Sequence, residues 1–90
     1  MRESYIERRL VEGVKLKGGL AWKFVSPGMS GVPDRIVLMP GGKVIFVELK
    51  TDCGVLSRLQ VRVQNILQNH GFKVVTLYGI DEVEDFVDAL

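Results

Sequence analysis

Asp34 follows Pro33, and after thirteen intervening residues comes Glu48-Leu49-Lys50. Carboxylates are the side chains that hard divalent cations take, and Mg²⁺ is typically held by one or two of them with several waters retained. A lysine ammonium beside such a pair could orient an attacking water, take a proton from it, or stabilise negative charge developing on a phosphate. The chemistry open to Asp34, Glu48 and Lys50 is therefore metal-assisted cleavage of a phosphodiester, provided the chain brings them together.

Two apolar runs, Ile36-Val37-Leu38-Met39 and Val44-Ile45-Phe46-Val47, are separated by Pro40-Gly41-Gly42 and read as a hairpin. If that loop is three residues long, Met39 faces Lys43 and Asp34 lies across from Glu48. Directly opposed residues have Cβ atoms about 4.5–5.5 Å apart on one face. Lys50, two residues past Glu48, projects from the same face. A two-residue loop would shift the pairing by one and break the alignment. Opposed carboxylates repel, and a cation between them relieves that repulsion. The plainer alternative makes Asp34 a turn residue and leaves Glu48 and Lys50 on a solvated edge. Against it, three charged residues converge on one face of an otherwise apolar hairpin.

The remaining elements must hold this hairpin. Ile6, Leu10 and Val14 recur every four residues, which predicts a helix over 3–17 that stops at Gly18-Gly19. Residues 20–25 read as a strand, and Ser26 to Gly31 as a loop. Ser57-Arg58-Leu59-Gln60 has capping-box spacing and starts a second helix. Its buried stripe is Leu59, Val63, Ile66 and Leu67, and Gly71 follows its end. Phe72 to Tyr78 reads as a strand, and Asp81 as the cap of a short last helix through Val83, Phe86, Val87 and Leu90. Neither hairpin run alternates cleanly with polar residues, so both sheet faces are expected to be covered. The order α-β-β-β-α-β-α predicts an α/β sandwich around a central mixed sheet, as one domain over 1–90.

Composition narrows the partners. The 47% hydrophobic and 26% charged fractions are those of an ordinary globular chain. The net charge of +1 conceals five acids and no base in the last ten residues, which leaves the first eighty at +6. That bias suits a polyanion, and an ordinary solvated surface as well. With one cysteine, Cys53, and one histidine, His70, the chain can build neither an internal disulfide nor a zinc site from these types alone. No run is long and apolar enough for a transmembrane helix, and a reducing intracellular setting is expected.

The ordered set Ser30-Gly31-Val32-Pro33-Asp34-Arg35, Phe46-Val47-Glu48-Leu49-Lys50 and Leu56-Ser57-Arg58-Leu59-Gln60 resembles the VRR-NUC family, within the PD-(D/E)xK nuclease superfamily. The resemblance covers nearly the whole chain and looks like the stand-alone phage or bacterial kind. It implies a restriction-endonuclease-like three-layer sandwich. It also implies Mg²⁺ or Mn²⁺ held by Asp34, Glu48 and the backbone carbonyl of Leu49. Stand-alone members are similar in outline to archaeal Holliday-junction resolvases, which act as homodimers. The expected activity is thus structure-specific DNA cleavage, with four-way junctions first. A flap, nicking or restriction-type nuclease and a non-catalytic DNA-binding module are the other readings.

Residues around the centre follow from the same resemblance. Related nucleases place a glutamate of the first helix near the metal; Glu7 fits that position, with Glu3 one turn earlier as its rival. Gln60 is either the far end of the capping box or a group at the site, and Gln64 lies one turn on. Ser30 is a candidate phosphate contact in the loop before Asp34, although turn chemistry also accounts for it. Arg8, Arg9, Lys15, Lys23, Arg35, Arg58 and Arg62 are candidate backbone contacts to DNA, with Arg35 equally suited to a structural ion pair on the other sheet face. Trp22 and Tyr5 read as core or interface residues.

Overall fold

The apolar spacing of the first helix decides where the core lies. In a computed structural model that describes residues 2–90, α1 (Glu3–Leu16) buries Ile6, Leu10 and Val14 completely. These side chains pack on one face of a four-stranded sheet made of β1 (Leu20–Lys23), β2 (Arg35–Met39), β3 (Lys43–Lys50) and β4 (Lys73–Tyr78). That face presents Ala21, Val37, Ile45, Val47, Leu49 and Leu77, every second residue along each strand. α3 (Gly79–Asp88) completes this layer through Val83. α1 and α3 approach closely at Gly13, where an added Cβ would lie 2.9 Å from both methyls of Val87.

Strand order is β1-β2-β3-β4, with the first two pairings antiparallel and β3–β4 parallel. A parallel pair needs a crossover, and α2 (Arg58–Asn69) supplies it on the opposite face. Helices therefore lie on both sides of a mixed sheet, as the sequence implies. Met39 pairs with Lys43, so the Pro40-Gly41-Gly42 loop is three residues long and the register is the one that aligns Asp34 with Glu48. Gly41 and Gly42 take positive φ of 85° and 79°, which L side chains rarely adopt.

Three expectations change. α3 starts at Gly79 rather than after Asp81; the Glu82 carboxylate accepts the Tyr78 N–H at 2.9 Å, and Asp81 sits inside the first turn. Leu59 is not part of a fully buried stripe; it packs against the loop at Gly31 instead. The face opposite α1 is only partly covered, because α2 lies over β3 and β4 and leaves Leu20 and Trp22 of β1 exposed.

Gly31 ties the loop before Asp34 to the start of α2. Its φ is +86°, and an added Cβ would lie 2.8 Å from Leu59 Cγ and 3.2 Å from the Leu59 backbone. Gly41 has nearly the same φ of +85° with nothing within 4 Å. Both Gly→Ala changes cost the left-handed conformation, about 1–2 kcal/mol, but only Gly31→Ala adds a clash. Urea denaturation is expected to show a larger loss for Gly31→Ala than for Gly41→Ala.

Candidate active site

The β2–β3 ladder stops at Arg35 and Val47, whereas β3 runs on to Lys50 paired only with β4. The Leu49 N–H faces the side that β2 has left. Asp34, the residue just before β2, fills the gap: its Oδ2 accepts that N–H at 2.8 Å. The N–H and C=O of a strand residue point to the same side. The Leu49 carbonyl therefore opens towards Asp34 as well. Fully buried Pro33 and the Phe24 N–H, donated to the Asp34 carbonyl at 2.9 Å, fix the backbone there.

Val47 and Leu49 enter the core, so Glu48 and Lys50 project from the α2 side. Glu48 is only 3% exposed, and it is the one charged residue among the buried ones described. Burial, and next the charge of Asp34, push its carboxyl up from 4.5 to about 7, while Lys50 pulls it partly back. Lys50 Nζ stands 3.8 Å from Glu48 Oε2, partly open to solvent.

Gln60 closes the capping box and also reaches Glu48. Its backbone N–H donates to Ser57 Oγ at 3.1 Å, and its Oε1 accepts the Ser57 N–H at 2.9 Å, which closes the capping box. Its Nε2 donates to Glu48 Oε2 at 3.0 Å. Gln64 instead donates to Thr76 Oγ1 at 2.8 Å, and Thr76 is the β4 partner of Glu48.

The other candidates have different partners or are exposed. The Glu7 carboxylate is held by Arg35, whose Nε donates to it at 3.0 Å and whose Nη1 donates to the Ala21 carbonyl at 3.1 Å. Arg35 thus forms the structural ion pair on the α1 side, and Glu7 makes no hydrogen bond to Asp34 or Glu48. Arg9 pairs with Glu84 of α3, so its charge is already matched. Arg8 lies over the Tyr5 ring, 5.6 Å from its centroid. Ser30, Lys15, Lys23, Arg58 and Arg62 are exposed. Two neighbours of the cluster escaped the sequence reading. Thr76 is one, with no motif to mark it. Gly54 is the other: an added Cβ there would lie 3.0 Å from Lys50 Cβ and 3.2 Å from its Cδ, so the lysine stem packs on bare backbone.

No group of three or more His, Cys, Asp or Glu side chains converges among the described residues. The donors available are two carboxylates, a backbone carbonyl and a nearby ammonium. Nor is any helix among the described residues long and apolar enough to cross a membrane.

The VRR-NUC domain profile matches residues 3–81. The chain is 47% identical over 81 residues to p44, described as a candidate nuclease, of Acyrthosiphon pisum secondary endosymbiont phage 1; the match spans 90% of this chain and 87% of that protein. A solved VRR-NUC domain superposes with a TM-score of 0.89 at 26% identity, over 96% of this chain and 94% of its own. Archaeoglobus fulgidus Hjc, a Holliday junction resolvase, shares the fold with a TM-score of 0.62 at 20% identity, over 84% of this chain and 67% of its own. With its profile match spanning nearly the whole chain, this protein belongs to the VRR-NUC family of nucleases.

Proposed function

We propose that this chain is a Mg²⁺- or Mn²⁺-dependent endonuclease that cuts branched DNA, four-way junctions foremost, as a homodimer. The observation that carries the reading is the opposed pair Asp34 and Glu48 at the point where β2 leaves β3, with Lys50 beside them. The donor set suits a hard divalent cation: two carboxylates and the Leu49 carbonyl are oxygen ligands of the kind Mg²⁺ takes. The raised Glu48 carboxyl is a second argument, since a buried carboxylate facing another carboxylate gains most from a cation. Asp34, Glu48 and the Leu49 carbonyl would hold the ion, which when bound polarises a phosphate oxygen and makes water more acidic.

The chain's own groups do the rest. The Leu49 N–H holds the Asp34 carboxylate in place, and Gln60 Nε2 holds that of Glu48. Lys50 reaches past Glu48 towards solvent, where a phosphate and its attacking water would lie. Its ammonium orients that water and offsets charge on the phosphoryl oxygens. As the water oxygen bonds to phosphorus and gives its proton to solvent, the bond from phosphorus to one sugar oxygen breaks, and that oxygen takes a proton from solvent water. Arg58, Arg62 and Lys23 would contact the DNA backbone, together with Ser30, so binding weakens steeply with salt. The junction preference and the dimer rest on the fold shared with Hjc and on the short chain, for which a subunit interface adds burial.

A panel of four-way, flap, splayed and linear DNA, with Mg²⁺, with Mn²⁺ and with chelator, tests this reading. Cleavage is expected only with metal and most strongly on the four-way junction. A preference for flap or linear DNA would instead favour a nicking or restriction-type enzyme. Asp34→Ala is expected to abolish cleavage, and Lys50→Ala to slow it by about a hundredfold or more. Full activity in both variants would overturn the site.

The Glu48 carboxyl also predicts a pH effect. In the folded, metal-free protein it keeps its proton up to about pH 7, whereas its ordinary value is 4.5. Between those values the folded state binds more protons than the unfolded state, so stability falls as pH rises through the window. Thermal melts without metal should show this decline, added Mg²⁺ should reverse it near neutral pH, and Glu48→Gln should flatten it.

A further inference from the structure

The course of the Lys50 side chain is not set by its ion pair. Nζ stands 3.8 Å from Glu48 Oε2, too far for a hydrogen bond, yet only 19% of the side chain is exposed. A lysine carries its charge on a flexible four-carbon stem, so a contact of this length leaves the stem free to wander. What bounds it is the turn that follows. Thr51 to Gly54 close a four-residue turn, in which the Gly54 N–H donates to the Thr51 carbonyl at 2.9 Å. The turn brings Gly54 back against Lys50. A Cβ there would lie 3.0 Å from Lys50 Cβ, 3.2 Å from Lys50 Cδ and 3.2 Å from the Thr51 oxygen. We propose that Gly54 is a positioning residue for the reaction: its bare backbone is the floor that directs the Lys50 ammonium towards the phosphate. The proposal rests on the nuclease reading above and on the part of Lys50 in it.

The turn is itself fixed from its far side. Tyr78 pairs with Lys50 across β3 and β4, and Gly79 follows it as the first residue of α3. Gly79 is buried with a φ of +82°, and a Cβ there would collide with Asp52 Oδ1. The Asp52 carboxylate thus fills the space that a side chain at position 79 would need, over the start of α3. A helix N-terminus favours a negative charge at that place. Two glycines therefore seat one turn: Gly79 admits Asp52, and Gly54 admits Lys50.

A methyl group at Gly54 would act on the lysine unevenly. Lys50 Cβ is held by the end of β3, whereas Cδ is free to swing. The stem would turn away and carry Nζ off its course. A misplacement of about 1 Å can cost about a hundredfold in rate. Gly54 is not among the glycines of positive φ, so alanine there meets no left-handed strain, and its effect reports on the contact with Lys50.

The test is a double-mutant cycle on the full chain, read as the single-turnover rate on the DNA that wild type cuts best. Gly54→Ala is expected to slow cleavage about tenfold with unchanged DNA affinity. In a Lys50→Ala background the same change should cost nothing further, because the lysine it acts through is gone. Asp52→Ala, which frees the turn, should behave the same way and serves as the second variant should Gly54→Ala fold poorly. Full cleavage in both variants overturns the proposal. So does a loss confined to DNA affinity, or a loss that multiplies with that of Lys50→Ala. Proton Overhauser contacts give a readout without cleavage: wild type should show them between the Lys50 methylenes and the Gly54 α protons, and their absence overturns the proposal as well. Failure of the nuclease reading looks different: wild type shows those contacts and cuts no DNA in any metal.

Discussion

One hydrogen bond organises the end of the sheet that carries the candidate site: the Leu49 N–H donated to the Asp34 carboxylate. It replaces the ladder bond that β2 would have made had it continued past Arg35. A strand end of this kind leaves polar backbone without a partner, and a side chain must supply one. Supplying it with a carboxylate fixes that carboxylate against β3, one residue from Glu48. The hairpin register, the loop held at Gly31 and the buried Pro33 all serve to put Asp34 there.

The arrangement opposes folding locally. Glu48 is almost sealed from water and faces a like charge, and its neighbours Lys50 and Gln60 offset this only in part. Fully buried Val47, and Leu49 only 2% exposed, carry the same strand into the core on the other face. The C-terminal half of β3 thus does two jobs by alternation: Val47 and Leu49 enter the core, and Glu48 and Lys50 carry charge on the opposite face. Local conflict of this kind is expected where function, rather than stability, selects the residues.

The hairpin register was legible because the Pro-Gly-Gly loop and two flanking apolar runs leave few ways to pair. The capping box was legible from its spacing. What the sequence hid was the placing of helices against the sheet. Whether Glu7 meets the centre or Arg35 depends on how α1 is rotated about its axis, which packing of Ile6, Leu10 and Val14 decides. Whether Trp22 is core or surface depends on how far α2 reaches across the sheet, and apolar strand residues look the same either way. The early start of α3 depends on Glu82 reaching back to Tyr78, a contact that Asp81 as the nearer acid obscured.

Gln60 has one further consequence. Its amide cannot be turned over, since its oxygen accepts from Ser57 and its nitrogen donates to Glu48. The helix cap and the carboxylate are therefore satisfied by opposite ends of one rigid group. When the first turn of α2 frays, Glu48 loses its donor in the same event. Opening of that helix end and loosening of the Glu48 carboxylate are thereby a single local equilibrium rather than two.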